Sequence, residues 1–361
     1  MAESAVGITY ETVDVFTDAA FGGNPLAVVF GCERLSTKAM LSITKEFGYS
    51  ETTFVLPPTL PSATAKVRIF TPEEELPFAG HPNVGTATAL ARRGQVFGKA
   101  VGDELVLEQP AGLVTLRLLR QQGSSDGGRG QVCGAELTAP QPYTSTGVIG
   151  AEVAAECLGL NPADVCTTLH PPTIASTGSA FCVVELASME ALQRTGAGSL
   201  RCTAFDSSGT DTPDIRAILC YFRHSSCRGQ VAAARHIGDT SSSSSSVDVS
   251  SRMFTRGGWE DPATGSASCA LVGLLASLQP EITEAGLKVT PRLTAATSGA
   301  SLVGGGTLSL RITQGVEMGR PSVLVASAEH DGAGGVGAVT VGGTCVPMMK
   351  GELVCSTRLA L

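Results

Sequence analysis

The chain has 361 residues, of which 43% are hydrophobic and 16% are charged. A chain of this length can bury a sizeable core without metals or disulfides, and its apolar content excludes a wholly disordered protein. The net charge is −8, and the longest basic cluster is Arg92-Arg93, so we expect no nucleic acid partner. Small anionic ligands stay compatible with this charge, because N–H groups at helix N-termini can bind them.

The cysteine pattern and the N-terminus indicate where the protein works. None of the 11 cysteines forms a C-x-x-C pair, which argues against a zinc ribbon or a thioredoxin-like motif. An odd number of cysteines, many in apolar runs such as Phe181–Val184, indicates buried free thiols in a reducing compartment. Because no secretory signal and no run of membrane-spanning length is visible, we expect a cytoplasmic protein with no membrane partner.

The first part of the chain alternates short strands with single helices. The predicted strands are residues 8–19, Leu26–Phe30, Thr52–Leu56 and Ala65–Phe70. Gly22–Pro25 indicates a turn, and Ser36–Tyr49 is predicted as a helix with Ser36 as its N-cap. A second helix, rich in small residues, is predicted from about Val84 to Arg93. Short strands with one helix per stretch favour an α+β fold over regular β-α-β winding.

Later segments are less regular. Residues 121–130 and 239–251 indicate surface loops, the second around the serine run Ser241–Ser246. Gly332–Gly337 has the spacing of a dinucleotide-binding loop, but the strand and helix that such a loop requires do not flank it. The last apolar run, Leu353–Cys355, is predicted as a terminal strand.

One internal similarity links the two halves of the chain. Residues His81–Ala87 and Asp261–Ala267 both fit the pattern [H/D]-P-x-[V/T]-G-[T/S]-A, and a Phe-Thr pair precedes each of them. Each pattern runs into an apolar helix, whose N-terminal N–H groups carry partial positive charge. Two such turns facing each other would form an anion cradle flanked by His81 and Asp261. Taken singly, either residue fits a turn or capping role; the pairing favours function.

Two acidic positions are also candidates. Glu51 lies where the first predicted helix gives way to a strand, and from the pattern alone it is an ordinary exposed carboxylate at a strand end. The acidic run Glu73–Glu75 is interpreted as a solvated turn.

These segments together resemble the phenazine-biosynthesis PhzF-like family over nearly the whole chain. The matching stretches are Val13–Thr17, Phe21–Val29, Ser50–Val55, Arg68–Pro72, Glu75–Pro82, Glu260–Ala267, Gln314-Gly315 and Met318–Ser322. The resemblance implies a diaminopimelate-epimerase-like fold, in which two similar domains each wrap a curved β-sheet or barrel around a central helix. It places the active site in the cleft between domains of residues 1–145 with 347–361 and residues 146–346.

The resemblance also implies a cofactor-independent isomerase that moves a proton between carbons of a small carboxylate-bearing substrate. Glu51 would be the general acid/base, while His81 and Asp261 would position the substrate and stabilise developing charge. The residues expected to bind the substrate are Gly80, Gly85, Thr264, Gly265 and Ser266. Neither a cofactor nor a metal is expected, and a homodimer is an open option.

Other readings stay open at this point. Related epimerases and racemases use two cysteines as their acid/base pair, but this chain has none at 79–85 or 261–266. Cys269 falls inside the following helix, so we do not expect two-thiol racemisation. The alternatives are a binding or scaffold protein without turnover, and an epimerase of a small amino or hydroxy acid that pairs Glu51 with another base.

Overall fold

The computed structural model describes residues 7–121, 130–196, 215, 217–224, 247–278, 290–291, 305–331 and 333–354. The chain forms two compact units. Unit 1 is Met1–Pro140 with Gly342–Leu361, and unit 2 is Gln141–Val341. The boundaries expected from the sequence, at 145 and 347, lie a few residues beyond these limits.

Unit 1 consists mainly of strands around one long helix. Its elements are β1 (Thr9–Val15), β2 (Asn24–Phe30), α1 (Thr37–Phe47), β3 (Glu51–Leu56), β4 (Ala65–Phe70), β5 (Glu75–Leu76), α2 (Gly80–Arg93), β6 (Gln95–Val96), β7 (Lys99–Ala100), β8 (Glu104–Gln109), β9 (Gly112–Arg120) and β10 (Val132–Thr138). Helix α2 contacts β1, β2, β3, β9 and β10. Its residues from Gly80 to Leu90 are all buried, because small side chains let the strands approach from every side.

Unit 2 has the same kind of composition. Its elements are β11 (Thr144–Val148), α3 (Ala151–Leu158), a 3-10 turn (Pro162–Asp164), β12 (Thr173–Ser176), β13 (Ala180–Glu185), α4 (Met189–Arg194), β14 (Ala217–Arg223), β15 (Val247–Thr255), β16 (Glu260–Asp261), α5 (Gly265–Ser277), β17 (Thr290–Pro291), β18 (Gly306–Gln314), β19 (Ser322–His330) and the start of β20 (Val336–Glu352). Helix α5 contacts β12, β13, β18 and β19, and it is buried along most of its length.

The two units repeat one order of strand pairing. In unit 1, β1–β2 is antiparallel, β2–β3 parallel, β3–β4 antiparallel, β4–β8 parallel and β8–β9 antiparallel. In unit 2, β12–β13, β13–β14, β14–β15, β15–β18 and β18–β19 follow in the same alternation. The expected α+β fold of two similar domains, each with a central helix, is therefore confirmed.

Most predicted elements are confirmed, and several differ in their bounds. The first strand, predicted over 8–19, ends at Val15. Helix α2 begins at Gly80 rather than near Val84, because Pro82 lies in the first turn, where a missing N–H costs no hydrogen bond. Residues 247–251, predicted as loop, form the start of β15. The final strand ends at Glu352, so Leu353 and Val354 are outside it. The other residues of the two predicted loops, 122–129 and 239–246, lie outside the described residues.

Most cysteines in the described part of the chain are free thiols. Those at 32, 133, 182, 220, 269 and 345 are free and buried, and the free Cys166 is half-buried. Cys157 is disulfide-bonded, so the expectation of free thiols is wrong for this residue. Among the described helices, none has the length and apolar character that crossing a membrane would require.

The N-cap of α1 provides a test of the sequence reading. The Ala39 N–H donates to Ser36 Oγ at 3.3 Å, so Ser36→Ala removes a cap and we expect it to lower the free energy of unfolding by about 0.5–2 kcal/mol. Urea unfolding measures the loss. Ser42→Ala is the control, because the Ser42 hydroxyl only donates to the Lys38 carbonyl on the exposed side of the helix. Equal stability of Ser36→Ala and wild type would contradict the assignment.

Candidate active site

In each unit a hairpin leads into the buried helix, and the same ion pair braces it. β5 pairs back onto β4, and β16 pairs back onto β15. Arg68 donates to Glu75 through Nε and Nη2 at 2.7 and 2.6 Å, and Arg252 donates to Glu260 at 2.7 and 2.7 Å. Such bidentate pairs fix the geometry of both partners. The interpretation of Glu73–Glu75 as a solvated turn is therefore wrong for Glu75.

The paired hairpins set the correspondence between the units. Glu75–Gly80 matches Glu260–Gly265: both stretches read E-x-P-x-x-G, and both final glycines begin a helix. The seven-residue match, which sets Gly85 against Gly265, did not fix the register between the two halves, and the hairpins now set it five residues earlier in unit 1. The local pattern G-[T/S]-A occurs five residues too late in unit 1, and both the shared E-x-P-x-x-G stretch and the pairing of the short strands show this.

The corrected correspondence separates the two candidate side chains that the sequence had aligned. His81 takes the place of Ser266, directly after the first helical glycine, whereas Asp261 takes the place of Leu76 in the two-residue strand. Each unit thus presents a different ionisable group near its helix N-terminus.

Gly85 has a packing role. It lies in the interior of α2, where a Cβ would approach Leu26 Cδ2 to 2.6 Å and Val15 Cγ2 to 2.7 Å. Only glycine lets the helix lie this close to β1 and β2. This packing accounts for a glycine here without a ligand, and substrate binding by Gly85 stays a prediction.

Glu51 and His81 meet in unit 1. Glu51 is the first residue of β3. Two residues later in the same strand, Thr53 Oγ1 forms a hydrogen bond of 2.9 Å with Thr86 Oγ1 of α2. This contact ties the strand to the helix that carries His81. His81 Nε2 lies 3.6 Å from Glu51 Oε2, with 5% and 17% of the two side chains exposed. The Glu51 carboxylate and the His81 imidazole therefore lie side by side in a mostly buried site.

The imidazole of His81 is neutral. Burial lowers the pKa of His81 from 6.5 to about 3, so the contact with Glu51 is not an ion pair at neutral pH. Asn24 Nδ2 lies 3.2 Å from His81 Nδ1, and among the described residues Nε2 has no hydrogen-bond partner. A neutral imidazole whose Nδ1 accepts from Asn24 carries its proton on Nε2, the atom that faces Glu51.

Asp261 belongs to a polar network of unit 2. The Thr264 hydroxyl donates to Asp261 Oδ2. Gln314 Nε2 donates to the Asp261 carbonyl at 2.8 Å and to Thr264 Oγ1 at 3.1 Å, while Thr264 N donates to Gln314 Oε1 at 3.3 Å. Gln314 therefore holds both residues at the start of α5.

Neither helix has a side-chain N-cap. Ala79 has no polar side chain, and the Thr264 side chain makes no capping bond to the helix that it precedes. The first N–H groups of α2 and α5, at Gly80, Gly265 and Ser266, can therefore donate to an anionic group. Within the described residues, no group of three or more His, Cys, Asp or Glu is arranged to hold a metal.

Sequence reasoning missed the amide side chains of the site. Asn24 contacts His81, and Gln314 holds Asp261. In unit 1, Asn83 and Gln109 bond to each other, and Asn83 Nδ2 donates to the Ala79 carbonyl at 2.8 Å. The available signals were the position of Asn24 within a glycine-proline turn and of Gln314 within a late family stretch.

Comparison with known proteins identifies the family. A family model described as phenazine biosynthesis-like protein matches residues 13–351. An uncharacterised isomerase of Mesorhizobium japonicum is 34% identical, with 95% of this chain and 98% of that protein covered. The trans-2,3-dihydro-3-hydroxyanthranilate isomerase of Pseudomonas aeruginosa is 33% identical, with 95% and 98% covered.

Solved structures agree. A Pseudomonas aeruginosa protein described as a predicted epimerase has a TM-score of 0.64 at 27% identity, covering 97% of this chain and all of that one (100%). A Bacillus anthracis protein of the PhzF family has a TM-score of 0.68 at 21% identity, covering 96% and 99%, which supports the fold. The chain belongs to the phenazine biosynthesis-like (PhzF) family, and it is an enzyme of the isomerase and epimerase class.

Proposed function

We propose that the protein is a cofactor-independent isomerase that moves a proton between two carbons of a small carboxylate-bearing substrate, with Glu51 as the general acid/base. The observation that carries this proposal is the approach of His81 Nε2 to Glu51 Oε2 at 3.6 Å, at a place where burial lowers the pKa of His81. Glu51 accepts a proton from one carbon and returns it to another, so the reaction needs no oxidant or reductant. His81, as a donor beside the base, stabilises the negative charge that lies on the substrate while the proton is on Glu51.

The substrate class follows from the donors at the helix starts. We propose that the N–H groups around Gly80, Gly265 and Ser266 bind the substrate carboxylate, with Thr264 supporting them and Asp261 accepting from a substrate N–H or O–H. The name of the Pseudomonas relative supplies the first probe, trans-2,3-dihydro-3-hydroxyanthranilate. Other cyclic and α-amino carboxylates form the wider screen.

Incubation with these probes in deuterated water tests the proposal. We expect a product of unchanged mass apart from deuterium at the carbon that receives the proton, read by mass spectrometry and NMR. Inversion at one labelled carbon, without a shift of a double bond, would favour the epimerase alternative. Binding by calorimetry without any label would favour the scaffold alternative, and both results contradict the proposed isomerase.

Cys269 provides a second test of the chemistry. Its thiol is buried within α5, and burial raises its pKa to about 12, so it does not supply a thiolate at neutral pH. We expect Cys269→Ala to turn over the substrate nearly as fast as wild type. An inactive Cys269→Ala protein with an unchanged circular dichroism spectrum would instead support a thiol mechanism.

The cytoplasmic location and the homodimer belong to this proposal. The free buried thiols support a reducing compartment, and the disulfide of Cys157 opposes it. Thiol labelling of the protein in its native cells and sedimentation of the purified protein test the two points.

A further inference from the structure

A short chain of polar contacts lies behind the imidazole of His81. Asn24 is fully buried at the start of β2, with its Nδ2 3.2 Å from His81 Nδ1. The Ser50 hydroxyl donates to Asn24 Oδ1 at 3.2 Å. Ser50 directly precedes Glu51, so the contacts link the residue before the proposed base, through Asn24, to the imidazole that lies 3.6 Å from that base.

The Asn24 amide can face His81 with its nitrogen or with its oxygen, and the Glu51 carboxylate decides between these two orientations. With the amide reversed, His81 Nδ1 would carry the proton, and Nε2 would turn its lone pair toward Glu51 Oε2 at 3.6 Å. A lone pair facing a carboxylate is repelled, whereas an N–H facing it is attracted. The arrangement with Asn24 as the donor is therefore the one that fits an ionised Glu51.

The turn before β2 fixes the place of Asn24. Phe16, Phe21 and Gly23 have positive φ values of 66°, 67° and 65°. The Phe21 N–H donates to Asp14 Oδ2 at 2.8 Å, and a Cβ on Gly23 would lie 2.3 Å from the Val15 carbonyl oxygen. Non-glycine residues keep a left-handed backbone conformation only where the surrounding contacts hold them. The turn therefore holds the backbone of Asn24 in one place, next to His81.

We propose that Asn24 is a positioning residue: its amide holds His81 in the Nε2–H tautomer, the Glu51 carboxylate selects that orientation of the amide, and the Ser50 hydroxyl pairs with Asn24 Oδ1 in it. The consequence for catalysis rests on the proposed function, because an Nε2–H donor stabilises charge in the isomerisation only if Glu51 moves the proton. The tautomer itself is independent of turnover.

NMR of protein labelled with ¹⁵N-histidine tests the proposal in the wild type at neutral pH. We expect the His81 signals, assigned by their loss in His81→Gln, to show a bare Nδ1 and a protonated Nε2. A protonated Nδ1 would overturn the proposal. If this tautomer is found and no substrate turns over, the proposed function fails while the assignment of the tautomer stands.

Variants test the role of Asn24 and Ser50. In Asn24→Asp the carboxylate can only accept, so His81 Nδ1 gains a proton; we expect kcat to fall by about tenfold or more, with KM nearly unchanged. Ser50→Ala should shift part of the His81 population toward the Nδ1-protonated form, and because Ser50 is exposed this variant serves if Asn24→Asp does not fold.

Asn161→Asp is the control, because it makes the same change at an exposed N-cap. It should leave kcat and the His81 spectrum unaltered. Wild-type kcat with an unshifted His81 spectrum in Asn24→Asp, or in Ser50→Ala if only that variant folds, would overturn the proposal.

Discussion

Glu51→Gln is expected to lower turnover by roughly 10²–10⁴-fold. The amide keeps the shape of the side chain at the start of β3 but cannot accept a proton from carbon. Because a glutamine still contacts His81 across a similar distance, we expect substrate affinity to change little. Single-turnover kinetics give the rate of the chemical step, and calorimetry gives the affinity.

Solvent deuterium gives an independent reading of the same variant. Label should enter product in wild type and be absent in Glu51→Gln, because the proton passes through the side chain. Glu46→Gln is the matched control: Glu46 is exposed on α1, and its substitution removes the same charge. Full activity or full label uptake in Glu51→Gln would exclude Glu51 as the base.

The local elements of unit 1 were predictable because each depends on its own residues. Ser36 caps α1, and the strand at Ala65–Phe70 has the predicted bounds. The start of α2 was not predictable to the residue, because the burial of Gly80 to Leu90 against five strands, rather than propensity, makes that segment helical.

The register of the internal repeat shows where a local pattern misleads. A seven-residue match aligned Gly85 with Gly265, although the first of these packs under Leu26 and the second begins a helix. The correspondence is set by the ion pairs of Arg68 and Arg252, which join residues apart in sequence. The shared E-x-P-x-x-G stretch carried this correspondence in the sequence, but the longer seven-residue match obscured it until the ion pairs were seen.

Candidate side chains were easier to find than their partners. Ionisable residues such as His81 stand out in a glycine-proline turn, whereas Asn24 looks like any turn residue until the fold brings it against the imidazole. The tautomer of His81, and hence the direction in which it donates, is a property of that contact and of burial. It could not be derived from the sequence.

The burial of His81 also predicts how the stability of the protein depends on pH. Its pKa is about 3 in the folded protein and 6.5 when the side chain is free. Between these values the unfolded chain binds more protons than the folded one, so stability rises with pH across this window. The contribution is fully present above pH 6.5 and is lost as the pH falls toward 3.

We therefore expect wild type to lose about 1.4 kcal/mol of unfolding free energy per pH unit from this group as the pH falls below 6.5. His81→Gln removes the titration, so from about pH 6.5 to about pH 4.5 the wild type should lose about 2–3 kcal/mol more than the variant. Carboxylates remote from His81 titrate alike in both proteins and cancel in this comparison, and Glu51→Gln with and without His81→Gln separates the share of Glu51, which lies 3.6 Å from the imidazole. Urea unfolding at several pH values measures the two slopes, with His224→Gln, an exposed histidine, as the control. Parallel slopes for wild type and His81→Gln would mean that His81 takes up its proton over the same pH range in the folded and the unfolded protein, which would contradict the lowered pKa.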